Sequence, residues 1–143
     1  MIKEKHWSVL FNAQPIPTVL LKADHPVYTI VFANEAYKTL TNTHHKDIIG
    51  KSFADLLHNH YSNIDETLNS LGQLLKDKAA QKQSAVKFEF QLPETKSTEL
   101  KYLNIFNTPL PGDDGEVEYI IRTINDITDV VAAQKKKMPF TKT

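Results

Sequence analysis

Residues 115–137 read GEVEYIIRTINDITDVVAAQKKK, and this stretch decides the fold. Between Val117 and Ile124, apolar residues occupy both faces of an extended segment, which predicts a central strand covered on both sides. Asp126 and Thr128 then supply the cap of a helix that ends in lysines, the charge favoured at a helix C-terminus. A core strand thus continues directly into a C-terminal helix. On these residues alone, that helix could equally transmit the state of the core or simply cover the sheet.

The composition predicts one soluble, cytoplasmic domain. A chain of 143 residues can bury about two-thirds of its unfolded surface. The absence of cysteine excludes disulfides, thiolate metal sites, iron–sulfur clusters and a cysteine nucleophile. Lys plus Arg equals Asp plus Glu at 17 each, so no net field attracts nucleic acid or an anionic membrane. Polar and proline residues at 12–17 interrupt any signal peptide, and no apolar run is long enough to span a membrane.

Hydrophobic periodicity predicts an α+β fold with an antiparallel five-stranded sheet, short helices and one long helix on one face. The long helix is expected near 62–81, with an apolar stripe at Ile64, Leu68, Leu71 and Leu75. We divide the chain into an N-terminal flanking helix at 1–13, a domain at 14–128 and a C-terminal helix or linker at 129–143. The remaining elements are expected as helices at 35–40 and 53–57 and strands at 18–21, 28–33, 85–92, 99–108 and 116–125.

Three segments, taken in order, resemble a PAS domain, the small sensory module of kinases, phosphodiesterases and transcription regulators. They are IVFANEAYKTLTN (30–42), DIIGKSFADLL (47–57) and GEVEYIIRTINDIT (115–128). The Asp-Ile-Thr triplet at the end of the last segment resembles the family's link to a signalling helix, and Asn34 matches the Asn that often opens the first PAS helix. The chain departs from the family at Asn42, where many members have Gly, and in the loop at 93–98.

The resemblance implies a ligand pocket between the inner face of the sheet and the helices. Nearly all of its candidate residues are apolar, so the set is also what a filled core without a ligand would contain. The candidates are Tyr37, Leu40, Phe53, Leu56, Leu57, Leu68, Leu71, Val86, Phe88, Phe90, Leu103, Ile105, Ile120, Arg122 and Ile124.

Arg122 stands apart from these apolar residues. If it points inward it must be paired, because an isolated buried charge is prohibitively costly, and Asp126, Glu89 or a ligand carboxylate could pair with it. If Arg122 points inward, we predict that it binds an anionic small molecule beneath a layer of apolar side chains. If the parity of the strand is reversed, Arg122 faces water instead, which is the commoner position of arginine.

The resemblance also bears on cofactors. The light-oxygen-voltage subfamily has an Asn-Cys pair where this chain has Ser52-Phe53, so a flavin–cysteinyl adduct is excluded, as is the Cys-linked chromophore of photoactive-yellow-protein relatives. Haem is not expected, because the long helix contains no His, and His58 or His60, which lie just before it, would have to swing inward to bind iron. The spacing of these two does not place both on one helix face, so no metal site is expected. Phosphate-binding loops, nucleophile elbows and H-E-x-x-H motifs are absent, so we do not expect an enzyme.

The expected function is that of a PAS sensory domain, as in bacterial sensor histidine kinases. It would sense a small molecule or relay a conformational change through the C-terminal helix, with Asn34, Asp126 and Thr128 as structural and signalling residues. The alternative is a ligand-free module for homodimerisation and protein–protein interaction. Its partners would be a second copy and an effector domain or protein. The candidate dimer residues are Ile2, Trp7, Val9, Leu10, Tyr102 and Phe106.

Overall fold

The computed structural model of the protein describes residues 4–44, 47–60, 64–91 and 97–137. Five strands form one antiparallel sheet in the order β2-β1-β5-β4-β3, so the predicted α+β class is confirmed and β5 is the central strand. The elements are helix α1 (Glu4–Ala13), strands β1 (Thr18–Lys22) and β2 (Ile30–Ala33), helices α2 (Glu35–Thr41), α3 (Phe53–His60) and α4 (Ile64–Asp77), strands β3 (Gln81–Gln91), β4 (Thr98–Pro111) and β5 (Val117–Asp126), and helix α5 (Thr128–Lys137).

The hydrophobic core lies between one face of the sheet, here called the inner face, and helices α2, α3 and α4. Because every second strand residue points to the same face, the strand register fixes which side chains enter the core. Arg122 of β5 pairs with Val19 on one side and Asn107 on the other, and all three side chains are buried. Apolar rows lie on both sides of this row, with Ile105 and Ile124 in one of them.

The long helix α4 ends at Asp77, earlier than the predicted end at 81. Lys78 adopts a left-handed backbone with φ of 54°, and its amide donates to the Leu74 carbonyl at 2.8 Å, which closes the helix. The buried face of the helix contains Thr67, Leu71 and Leu74. The predicted stripe was therefore rotated slightly, since Ile64, Leu68 and Leu75 lie at the partly buried edge of this face.

Strand β3 begins at Gln81, before the predicted start at 85. The prediction missed the first residues of the strand because a bulge interrupts their alternation. The pairing with β4 shifts between Gln83 and Val86, and Ala85 has a φ of 51°. The Asn104 side-chain oxygen accepts a hydrogen bond from the Ala85 amide at 2.8 Å. As a result both Gln83 and Val86 point into the core, which simple alternation does not predict.

Helix α1 lies against the outer face of the edge strand β2. The rings of Phe11 and Phe32 meet edge to face at 4.6 Å between centroids. Val9 and Leu10, on the same helix, are 66% and 43% exposed. None of the described helices is both long and apolar enough to cross a membrane.

Candidate functional site

A small cavity lies in the core between the inner face of the sheet and helices α2 and α3. Its volume is about 20 Å³, which is room for a single water molecule. Most of its wall is aromatic or aliphatic, and Arg122 of β5 brings a charged group to it. The lining residues are Tyr37, Thr41, Phe53, Leu57, Phe88, Phe90, Leu103, Arg122 and Ile124.

The remaining pocket candidates lie in the core around this cavity. Leu40, Leu71, Val86, Ile105 and Ile120 are buried in the same hydrophobic core, and Leu56 and Leu68 are partly buried against it. Thr41 lines the cavity but was not among the candidates. It follows Tyr37 by one helical turn, and its hydroxyl donates to the Tyr37 carbonyl at 2.8 Å. That i, i+4 spacing from a candidate is the signal that could have identified it.

Arg122 points inward and is 2% exposed, so the alternative in which it faces water is wrong. Its Nη1 donates to the Asn107 side-chain oxygen at 3.2 Å, and its guanidinium carbon lies 5.2 Å from the centre of the Phe53 ring. A guanidinium at this distance is attracted to the ring by a cation–π interaction. The predicted carboxylate partners lie elsewhere, since Glu89 and Asp126 are exposed.

A polar strip, consisting of Gln83, Asn107 and Arg122, crosses the inner face over strands β3, β4 and β5. Asn107 is 0% exposed and pairs with Arg122 across the sheet. Gln83 is 9% exposed and stands diagonally to Asn107, opposite Ile105. Within the described part of the chain, the Asn107 Nδ2 and both amide atoms of Gln83 have no hydrogen-bond partner. Buried polar atoms normally have one, so this strip can form further hydrogen bonds.

Tyr37 brings a phenol to the same cavity. Burial raises the pKa of Tyr37 to about 12, although the positive charge of Arg122 acts in the opposite direction. The phenol is therefore neutral at physiological pH. A neutral hydroxyl and a guanidinium consequently share one small, mostly apolar space.

Asn34 occupies a junction between α2, β1 and the segment that precedes β1. Its Oδ1 accepts hydrogen bonds from the amides of Tyr37 and Thr18, each at 2.9 Å. Its Nδ2 donates to the Ile16 carbonyl at 2.9 Å. Asn34 thus caps α2, as the sequence predicted, and also fixes the helix to the first strand.

The connection from β5 to α5 is fixed by Asp126 and Thr128. The Asp126 Oδ1 accepts hydrogen bonds from the Thr128 amide at 3.0 Å and from its hydroxyl at 2.5 Å. The backbone of Tyr102 on β4 holds the same turn, since its amide donates to the Thr128 Oγ1 at 3.0 Å and its carbonyl accepts from the Ile127 amide at 2.9 Å. The start of α5 is therefore attached to two strands.

Lys101 connects this turn to the cavity. Its Nζ lies 5.8 Å from the centre of the Phe90 ring, which lines the cavity, and 3.9 Å from the Asp126 Oδ2. The lysine side chain is 18% exposed. A displacement of Phe90 would therefore reach the residue that caps α5 through one intervening side chain.

Several sequence candidates lie outside this description. Ile2 is not among the described residues, and the side chains of Trp7, His58 and His60 are not described either. Among the residues that are described, no three His, Asp or Glu side chains are grouped as metal ligands would be. A cavity of about 20 Å³ is far smaller than a flavin ring or a haem, so binding either group would require the helical wall to move outward.

Comparison with known proteins identifies the family. The PAS domain family profile matches residues 16–129, and no curated protein sequence matches. An RNA-binding light-oxygen-voltage receptor has a TM-score of 0.67 at 13% identity, over 96% of this chain but 36% of the receptor. The PAS domain of the fruit-fly ELK potassium channel has a TM-score of 0.62 at 18% identity, and the match covers 90% of this chain and 99% of that domain's chain. A sensory box sensor histidine kinase from Vibrio cholerae has a TM-score of 0.56 at 18% identity, and the match covers 87% of this chain and 90% of the kinase chain.

At these identities the structural likeness shows the fold alone, and the chain spans little more than a third of the receptor. The family profile, in contrast, covers most of the chain and includes all three segments on which the resemblance was based. The resemblance inferred from the sequence is thereby confirmed. The chain belongs to the PAS domain family.

Proposed function

We propose that this PAS domain is the relay module of a larger signalling protein of the sensor histidine kinase type, and that it passes changes in core packing to α5. The observation that carries the proposal is the series of contacts from Phe90 through Lys101 to Asp126 and Thr128. It begins at the cavity wall and ends at the helix cap. Such a series can couple two sites when the helix has two arrangements that the core favours differently.

The size of the cavity favours a relay whose core is nearly filled. Since about 20 Å³ admits one water molecule, side-chain repacking is the change that this core can undergo without expansion. Packed cores respond to a displaced side chain by shifting their neighbours, because few voids are present to absorb the change. Strand β5 lies at the centre of the sheet and continues into α5, so a shift in the core reaches the helix directly.

The experiment compares two phenylalanine variants by hydrogen exchange of the α5 amides. Phe90→Leu repacks the cavity wall beside Lys101, whereas Phe32→Leu alters a half-buried ring on the outer face of β2, next to α1. We expect Phe90→Leu to change the protection of residues 129–135 relative to the core, and Phe32→Leu to leave it unchanged. Equal protection of α5 in Phe90→Leu and the wild type would refute the relay.

A small-molecule sensor is the second candidate, and the buried Arg122 at the cavity favours it. A guanidinium can bind a carboxylate or a similar anion through two parallel hydrogen bonds. The Asn107 Nδ2, on the same strip, could donate to the same ligand. Native mass spectrometry of the purified protein tests this candidate through any retained mass. If Arg122→Ala binds a retained ligand as tightly as the wild type, the anion hypothesis is wrong.

A homodimer is the assembly that we propose for either candidate. The exposed Val9 and Leu10 on α1, together with Phe106 at 39% exposure on the outer face of β4, offer apolar surface to a second copy. The domain would act in the cytoplasm, pass its signal to an effector domain or protein, and catalyse no reaction itself. Sedimentation of the wild type and of Val9→Asp tests the pairing, since a dimer that uses α1 should dissociate in the variant.

A further inference from the structure

Beyond its first turn, helix α5 contacts the outer face of β4 through Lys135. Lys135, near its C-terminal end, extends back to Tyr102, and its Nζ donates to the Tyr102 hydroxyl at 3.2 Å. The same ammonium lies 5.0 Å from the centre of the tyrosine ring. Lys87, which faces Tyr102 across the β3–β4 pair, places its Nζ 5.9 Å from that ring. Two cations from different elements therefore meet at one aromatic side chain.

We propose that Lys135 and Tyr102 form a latch that keeps α5 docked on β4, and that its release gives the second arrangement of the helix. The inference rests on the proposed relay, because it identifies the contact through which α5 is held or let go. The turn at Asp126 and Thr128 would act as the pivot about which the helix moves, since backbone groups attach it to β4. The latch is the side-chain contact at the other end of the helix.

The weak apolar face of α5 supports this interpretation. Val130 is 55% exposed, and Ala132 and Ala133 are exposed as well. A helix of ten residues is marginal alone, and burial of an apolar face usually supplies its stability. Here that contribution is small, so a few polar contacts decide whether the helix stays docked.

The lysine pair at Tyr102 also suits a contact that opens and closes. The hydrogen bond from Lys135 lowers the pKa of the Tyr102 phenol. When Lys135 leaves, Lys87 remains beside the ring and continues to cover it. Release of α5 therefore does not leave the aromatic face without a cation, which lowers the free-energy difference between the two arrangements.

Hydrogen exchange of residues 131–133 in the whole chain tests the latch. Lys135→Met keeps the aliphatic stem and removes the charge, and we expect exchange there to become about two to five times faster while the core is unchanged. Tyr102→Phe, which loses only the hydroxyl, should give a smaller increase. Lys82→Met is the matched control, because Lys82 lies over Phe106, 5.4 Å from its ring centre, and the contacts described for it do not involve α5. Exchange in Lys135→Met within the experimental error of the wild type, or an equal increase in Lys82→Met, would overturn the proposal.

A double-mutant cycle separates the latch from a general loosening of the helix. In Tyr102→Leu the lysine has already lost its partner, so adding Lys135→Met should accelerate exchange little further. Fully multiplicative effects would show that the two side chains act independently, and the latch would be wrong. The outcome is separate from that of Phe90→Leu, because the latch is tested with the core intact and the relay with the latch intact.

Discussion

Two asparagines, Asn34 and Asn107, are both 0% exposed, yet their side chains are used in opposite ways. The Asn34 Oδ1 accepts hydrogen bonds from two backbone amides, and its Nδ2 donates to a backbone carbonyl. The Asn107 Oδ1 accepts one hydrogen bond from Arg122, and its Nδ2 has no partner within the described residues. One side chain joins backbone segments, while the other belongs to the polar strip beside the cavity.

The difference distinguishes a residue that fixes the fold from one that leaves the core adjustable. A buried polar group with all its hydrogen bonds stabilises one arrangement, because any other arrangement leaves it unsatisfied. A group with an unused donor costs free energy in the present arrangement and can recover it in another. The Asn34 junction should therefore be rigid, and the polar strip is where repacking or a ligand would be accommodated.

The largest effect is expected at the junction. Asn34→Ala should lower the free energy of unfolding by about 3 to 4 kcal/mol, because it removes three hydrogen bonds and leaves the buried amides of Thr18 and Tyr37 without a partner. Urea denaturation measures the change, and Asn125→Ala, at an exposed asparagine, is the control that should stay within about 0.5 kcal/mol. A loss below about 1 kcal/mol for Asn34→Ala would mean that the junction is not the rigid part.

Tyr37 belongs to both regions, since its amide bonds to Asn34 and its ring lines the cavity. Burial raises the pKa of Tyr37 to about 12, above the ordinary value near 10. The folded state favours the neutral phenol. The stability that the neutral phenol contributes is therefore fully present below pH 10 and is lost as the pH rises through about 12.

At the alkaline end of that range, the phenol ionises more readily in the unfolded state than in the folded one. The free energy of unfolding should therefore be lower there by about 2 to 3 kcal/mol than below pH 10. Urea denaturation of the wild type and of Tyr37→Phe between pH 8 and about 12 measures the difference between the two proteins. The variant should gain on the wild type only above pH 10. Parallel curves across the range would show that Tyr37 is accessible to water, and that the cavity is open.

A smaller loss is expected on the strip. Asn107→Ala removes the oxygen that accepts from Arg122, which should cost about 1 to 2 kcal/mol. The loss is smaller than at Asn34 because one hydrogen bond is removed instead of three, and because the adjacent cavity allows Arg122 to adjust. If Asn107→Ala and Asn34→Ala destabilise the protein equally in urea, the contrast between the two regions fails.

The smallest effect should have the opposite sign. Gln83→Met replaces a buried amide, whose two polar atoms lack partners in the described part of the chain, by an apolar side chain of similar length. We expect the midpoint of urea unfolding to rise, with a gain of about 0.5 to 1 kcal/mol. A loss of stability instead would show that the Gln83 amide is hydrogen-bonded, and that the strip is less adjustable than we infer.

The elements that local pattern determines were predictable from the sequence. Apolar residues on both faces of β5 indicated its central position, and Asn34 was recognised as a cap because capping depends on residues only a few positions away. Asn42 has a φ of 57°, as expected of an asparagine that follows a helix. Cross-strand contacts were harder. Asn107 was missed as the partner of Arg122, because that pair depends on the register of β4 and β5.

The parity of Arg122 and the bulge in β3 show the same limit of local patterns. Arginine side chains are usually exposed, so the residue type alone favoured the outer face of the sheet for Arg122. Only the pairing with Val19 and Asn107 shows that Arg122 lies on the inner face. The bulge beside Ala85 inverted the alternation of the strand before Val86, so Gln83 was not predicted to be buried. The contact of Lys135 with Tyr102 joins residues far apart in sequence and has no local signal.

The most direct test of the relay asks whether Lys101 carries the effect of the core to α5. Hydrogen exchange of the α5 amides would be compared in the wild type, Phe90→Leu, Lys101→Met and the double variant. If the contacts of Lys101 with Phe90 and Asp126 form the coupling, Phe90→Leu should alter the protection of α5 in the wild type but add nothing once Lys101 is Met. An undiminished effect of Phe90→Leu in the Lys101→Met protein would contradict the account.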